Sequence, residues 1–269
     1  MSERPWRAAR LWLVCSFLAY LAGCTTRALP TRVEPLRSPP SRYGTPLIGA
    51  VRTIVIDAGH GGYDAGASYF GLQEKALNLD IAKRLRDQLQ VTGLLVAMTR
   101  EADAFIPLSG RSDMANRLTA DLFVSIHTNA NPNDRVFGAE VYYPRISVVS
   151  PSAQWPPSVE ATEVALPTIT VKQILWDMVL GRTRVQSHRL ASSICGALRD
   201  GLQVPCKVKP ARFIVLREAW MPAVLVEVGY VSNGAEASRL RVLEYRQVAA
   251  ESIARGIVSY IREIGAEHI

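Results

Sequence analysis

The sequence predicts a single α/β domain: a twisted, mostly parallel or mixed sheet of about six strands with helices on both faces. Two observations carry this. Short β-branched apolar runs recur between residues 51 and 233, the composition of strands buried on both sides. Between them lie segments whose apolar residues recur at the 3.6-residue helical period, which is the alternation an α/β sheet requires. No internal repeat interrupts that pattern.

Residues 51–57 are the first strand, and they deliver His60 to a strand-end loop, where open α/β sheets place their sites. Glycines on both sides of His60 allow a sharp turn and leave room for a bulky ligand. The following helix carries Leu77, Ile81, Leu85 and Leu89 on one face. Glu74 stands at its start, where a carboxylate complements the positive helix end. Gly93 ends that helix, and residues 94–99 form a second strand. Residues 109–118 are a second helix with Ser109 as its N-cap. Residues 120–127 are another short apolar strand, again ending in a histidine, His127. Residues 138–143 are a strand nearer an edge.

Residues 144–184 break the pattern as a long Pro/Ser-rich insertion, with a short helix expected over 174–180. A clearer helix spans 186–202, with Leu190, Ile194, Ala197 and Leu198 on one face. Residues 213–216 read as a strand. The last strand lies within 221–233 and carries an acid, Glu227, at the end of its apolar run. An amphipathic helix over 244–264 closes the domain.

The formal net charge is +7, part of which comes from Arg4, Arg7 and Arg10 near the N-terminus. The remaining mild excess fits an anionic substrate or surface. No basic run with interleaved aromatics occurs, which argues against nucleic-acid binding.

Those three arginines precede an apolar stretch, residues 11–22, too short to span a bilayer comfortably. It ends in Leu21-Ala22-Gly23-Cys24, which resembles the lipobox of bacterial lipoproteins. That resemblance implies cleavage before Cys24 and acylation of its thiol and new amine. An ordinary signal peptide or anchor helix with a chance cysteine is the alternative. Thr25 follows, and the lack of Asp there resembles lipoproteins sent to the outer membrane. The expected organisation is a signal peptide at 1–23, a Pro-rich tether with lipidated Cys24 at 24–50, and a catalytic domain at 51–269. The expected location is the periplasm, on a lipid anchor in the outer membrane. Cys195 and Cys206 remain; they could pair in an oxidising compartment, or Cys195 could pack as a small apolar residue of its helix.

Four groups thus stand at strand ends or at a helix start: His60, Glu74, His127 and Glu227. Singly, each has an ordinary structural reading as a core histidine, a helix-start acid or a salt-bridged carboxylate. Two histidines and a carboxylate together make a ligand set for one catalytic Zn²⁺ with a position left open for water. The metal would bring the pKa of that water down to about 7. Glu227 is then the acid/base that moves the proton, because a charge ending an apolar strand is costly unless it is used or partnered.

Asp57-Ala-Gly-His60-Gly-Gly, Leu72-Gln-Glu74-Lys, Ser125-Ile-His127-Thr-Asn-Ala and Leu225-Val-Glu227-Val-Gly-Tyr-Val-Ser-Asn233 resemble the zinc-dependent N-acetylmuramoyl-L-alanine amidase family, in its type-3 catalytic domain. The likeness runs over residues 52–264 and takes in Thr99-Arg100 and Leu108-Ser-Gly-Arg111. It implies that His60, Glu74 and His127 bind zinc, that Glu227 is the acid/base, and that the substrate is peptidoglycan. The bond would be the amide between N-acetylmuramic acid and L-alanine, cut in wall remodelling or daughter-cell separation. Asp57-Ala-Gly stands where the family more often has Asp-Pro-Gly. The 144–184 insertion resembles in position a segment that covers the zinc site of cell-division amidases until a protein activator displaces it. Glu160 and Glu163 are its candidate autoinhibitory residues, although Pro151, Pro156, Pro157 and Pro167 limit any long helix there. Arg217 reads as a contact for a substrate carboxylate or as a partner of Glu218. Two rival readings remain: a non-catalytic wall-binding lipoprotein on the same fold, and a zinc peptidase acting within the stem peptide.

Overall fold

The structure is a computed structural model that describes residues 51–145 and 171–266, with side chains described outside 171–180. The expected signal peptide and tether, with Cys24, and the expected regulatory residues Glu160 and Glu163 lie outside the described residues. In chain order the elements are β1 (Thr53–Ala58), a small hairpin of β2 (Ser68–Tyr69) and β3 (Leu72–Gln73), α1 (Glu74–Gln90), β4 (Leu95–Met98), α2 (Leu108–Arg117), β5 (Leu122–Asn129) and β6 (Ala139–Pro144). They continue with α3 (Val171–Leu202), β7 (Cys206–Ala211), α4 (Ile214–Arg217), β8 (Ala223–Tyr230), α5 (Gly234–Arg241) and α6 (Leu243–Ala266).

Six strands form one mixed sheet in the order β4-β1-β5-β8-β6-β7. All neighbours are parallel except β6 and β8. The two-residue strand period sorts the core into two layers. Ile54, Ile56, Val124, Ile126, Val224 and Val226 face α1, α3 and α6 on one side. Val55, Phe123, Ala223 and Leu225 face Ala115 of α2 and Val215 and Leu216 of α4 on the other. Leu77, Ile81, Leu85 and Leu89 of α1 are all buried, as their spacing requires. Helices α3 and α6 pack closely because Gly256 has no side chain: a Cβ there would lie 2.5 Å from the Ile194 Cα.

Several local expectations are corrected. The short run at 213–216 is not a strand but the helix α4, in which Val215 and Leu216 are buried. A four-residue apolar run does not distinguish the two conformations by period alone. The edge strand is instead β7, whose Cys-Lys-Val-Lys-Pro-Ala composition of lysine and proline suits an unpaired edge and hides it from hydrophobic patterning. Ser109 is the second residue of α2, and Pro107 occupies the N-cap without a side-chain cap. The separate helices expected at 174–180 and 186–202 are one helix, α3, running through Gly181. Helix α5 is an element beyond those expected, and its cap is a strong local signal: the Asn233 side chain accepts from the Glu236 N–H. Cys195 in α3 is disulfide-bonded to Cys206 at the start of β7, with Cα atoms 5.5 Å apart. This staples the edge strand to the helix that covers it.

Candidate metal centre

The strand-to-loop turn after β1 is built around buried charge. Asp57 is fully buried near the end of β1 and accepts from Thr99 Oγ1 at 2.7 Å, Ser125 Oγ at 2.7 Å and Arg111 Nη1 at 2.8 Å. Arg111 also donates to the carbonyls of Ala58 and His60, and Arg100 to those of Ala58 and Gly59. Two buried guanidiniums therefore satisfy the carbonyls of a turn that leaves the sheet. His60 is held at φ 60°, a left-handed conformation rare for a residue with a Cβ and one that costs on the order of 1 kcal/mol. The turn closes where Gly61 N–H donates to the Asp64 carbonyl at 2.9 Å.

That turn aims the imidazole. His60 Nδ1 lies 2.8 Å from Asp64 Oδ2, which directs Nε2 to Glu74 Oε1 at 3.2 Å. His127, in the last turn of the pleat of β5, places Nδ1 2.9 Å from the same Glu74 oxygen. Gly59 makes space for this: a Cβ at Gly59 would fall 2.2 Å from His127 Nε2. Glu74, the first residue of α1, is fixed in turn. Its Oε2 accepts from Ala67 N–H at 2.9 Å, and Oε1 lies within reach of Thr128 N–H and Asn78 Nδ2.

Electrostatics separate the two glutamates at the site. Burial works to raise the Glu74 carboxyl, but hydrogen bonds from His127 and His60 outweigh it and hold the group well below the usual carboxylate range. Burial likewise works to lower His60, and Glu74 and Asp64 outweigh that to raise it. Glu227 has no such help. The β5–β8 register sets it beside His127, and the β8–β6 register sets Glu140 on its other side. Burial and then the negative charges of Glu74 and Glu140 push it well above the ordinary carboxyl value. Its Oε2 is buried and has no hydrogen-bond partner among the described residues. Glu140 is compensated by the Lys209 ammonium and the Tyr142 hydroxyl, which overcome its burial and lower it.

All four groups expected at the site converge there. His60, Glu74 and His127 each offer a ligand atom within 4.8 Å of the others. Ligands at ~2.0–2.1 Å from a tetrahedral ion stand roughly 3.3 Å apart, and the two nitrogen–oxygen separations to Glu74, 2.9 and 3.2 Å, lie close to that spacing. Imidazole, imidazole and carboxylate are the donor chemistry zinc takes in catalytic sites. Exposed Arg217 pairs with half-buried Glu218 at 3.2 Å. The supporting residues Asp57, Asp64, Asn78, Arg100, Arg111 and Glu140 were not assigned roles from sequence. The signal for three of them was the family resemblance, which takes in Asp57, Arg100 and Arg111 without giving them a role.

A family model for N-acetylmuramoyl-L-alanine amidase (Amidase_3) matches residues 54–259. The chain is 36% identical to the amidase LytC of Bacillus subtilis over 238 residues, which covers 88% of this chain and 39% of LytC. It is 36% identical to AmiA of Escherichia coli over 222 residues, which covers 79% of this chain and 77% of AmiA. Among solved structures it is similar to the amidase AmiC2 of Nostoc punctiforme, at TM-score 0.62 and 33% identity over 78% of this chain and 96% of that one. It is also similar to the amidase CwlD of Clostridioides difficile, solved in complex with the lipoprotein GerS, at TM-score 0.62 and 27% identity over 78% and 98% of the two chains.

Proposed function

The chain belongs to the N-acetylmuramoyl-L-alanine amidase family, and from that premise we propose that it hydrolyses the amide joining N-acetylmuramic acid to L-alanine in peptidoglycan, with one Zn²⁺ held by His60, Glu74 and His127. The observation that carries the mechanism is the pairing of opposite carboxylates: Glu74 held ionised by two imidazoles, and Glu227 buried beside them with a free oxygen. A bound Zn²⁺ supplies Lewis acidity at this position, which polarises a carbonyl and acidifies water. Glu74 and the two histidines hold that position, and Asp64 keeps the His60 ring turned to it. Glu227 takes a proton from the attacking water through Oε2. It then passes that proton to the departing amine of L-alanine. A carboxyl that burial and neighbouring negative charge raise well above the ordinary value is a stronger base than an exposed carboxylate, which suits it to take the proton from water before handing it on.

Mass spectrometry of muropeptides digested by the enzyme tests the reaction. Amidase action yields peptide-free glycan and free peptides beginning at L-alanine, whereas cleavage within the stem peptide would refute the assignment. Glu227→Gln is expected to keep the metal and lose most activity; a variant that digests peptidoglycan normally removes Glu227 from the mechanism.

We further propose that the protein is a lipoprotein of the outer membrane acting in the periplasm, anchored through Cys24. The lipobox-like Leu21-Ala22-Gly23-Cys24 behind a basic, apolar leader supports this. Labelled fatty acid should enter the wild type and not Cys24→Ala. The 144–184 insertion is proposed to regulate access through Glu160 or Glu163 and to respond to a protein activator. The capture of CwlD with a lipoprotein partner is the precedent. Deleting residues 150–180 should raise basal activity; equal or lower activity in a folded deletion ends that proposal.

A further inference from the structure

Tyr63 is 83% exposed, the most exposed large apolar residue among those described. Yet it is not loose. Its ring is stacked on Phe105 with centroids 4.2 Å apart and planes 27° from parallel. It sits inside the turn closed between Gly61 and Asp64, one residue before the group that orients His60. The two loops that carry the pair are braced together. Gly62 N–H donates to Asp103 Oδ1 at 2.7 Å, and Lys75 Nζ joins the Gly62 carbonyl at 2.8 Å to Asp103 Oδ2 at 2.7 Å. Arg111 bridges the His60 and Ile106 carbonyls, and Arg100 bridges those of Gly59 and Ala102. A rigid aromatic surface exposed to water at the edge of a metal centre has its ordering cost met before any ligand arrives.

We propose that the stacked Tyr63–Phe105 pair is a platform for a pyranose ring of the glycan strand. The inference rests on the amidase reading and names which side of the substrate this wall receives. The scissile bond has a sugar on one side and a peptide on the other. The acids on these loops are engaged: Asp64 lies against His60, Asp103 holds Lys75, and Glu101 faces Arg86. Stem peptides bear free carboxylates, and the cations that would meet them, Lys75 and Arg86, are already held by Asp103 and Glu101. The glycan is neutral here, because the lactyl carboxyl of the muramic acid is consumed in the amide. A β-linked N-acetylhexosamine also presents a flat face of C–H groups, which meets an aromatic face without needing a hydrogen-bond partner.

The test is direct binding of neutral β-1,4-linked N-acetylglucosamine oligomers, and separately of free stem peptide, to the zinc-loaded protein, alongside kinetics on peptidoglycan. Tyr63→Ala should weaken glycan binding roughly tenfold, the order of one aromatic contact, and raise KM rather than lower kcat. Tyr63→Phe should bind as the wild type does. Phe105→Ala lies outside the His60 turn and should reproduce the loss, which covers the case in which Tyr63→Ala sheds its metal. Unchanged glycan binding in both alanine variants overturns the platform, as does a loss confined to the stem peptide. Because binding is read without catalysis, the outcome stands apart from the amidase reading. If the wild type releases no peptide from peptidoglycan, it is the reaction that fails.

Discussion

Gly59→Ala isolates the steric basis of the metal centre. Gly59 does not use a left-handed backbone, so alanine is compatible with its conformation and only space is at issue. The new methyl would stand 2.2, 2.3 and 2.7 Å from His127 Nε2, Cε1 and Cδ2. Ordinary contact between such atoms is about 3.5 Å, so the ring must retreat by roughly 1 Å. The strands cannot part cheaply instead. Gly59 N–H is bonded to the Ile126 carbonyl at 3.0 Å, and β1 and β5 are in register through Ala58 and Ile126. Metal–ligand distances tolerate only ~0.2 Å, so a 1 Å retreat removes His127 from the ligand set. Overpacking of this kind costs about 1–3 kcal/mol, and the variant should therefore remain folded with a melting temperature lowered by several degrees. Peptidoglycan hydrolysis should fall by roughly 100-fold or more, with zinc content below one per chain by elemental analysis. Gly196→Ala, where an added Cβ meets nothing within 4 Å, is the control. It should keep full activity and gain up to about 1 kcal/mol of stability. Stoichiometric zinc together with a near-wild-type rate in Gly59→Ala would refute the reasoning.

The pH profile should respond to Glu140. Glu227 must be ionised to accept a proton, so its raised pKa sets the acidic limb of kcat/KM. Glu140→Gln removes a neighbouring negative charge and releases Lys209, both of which favour ionised Glu227, so the limb should move to lower pH; a limb that stays or moves up contradicts this origin of the shift. Arg111→Leu leaves the buried Asp57 carboxylate without its guanidinium and should cost about 3–5 kcal/mol in urea unfolding, whereas a loss under 1 kcal/mol would mean that the pair is dispensable. Replacing Cys195 and Cys206 together by alanine opens a short loop and should cost about 3 kcal/mol, read from the midpoint difference between oxidised wild type and the double variant. Equal midpoints would show that the bridge adds no stability.

The layers and the candidate ligand set were legible in the chain because both are written in local signals. Apolar period separated α1 from β1 and β5, and burial at Leu77, Ile81, Leu85 and Leu89 follows that period. His60, Glu74, His127 and Glu227 stood out because each polar group interrupts or terminates an apolar element, and the motifs around them resemble one family. Local signals failed where the run was too short, at α4, or where an edge strand needed no apolar stripe, at β7. The Cys195–Cys206 bond was open from sequence because pairing depends on a distance between helix and strand.

Only the tertiary structure decides what brings these residues into one site. Sheet register puts Glu227 between His127 and Glu140, and a slip of β8 by one residue would turn Glu227 to the opposite face. Arg100 and Arg111 reach across tens of residues to hold the His60 turn. Gly59 was read as room for a ligand beside His60; in the fold its missing side chain is the space filled by the His127 ring. Residue type sets what each group can do chemically. Which proton affinity it has, and which neighbour it serves, is set by the charges and carbonyls that folding brings within a few ångströms of it.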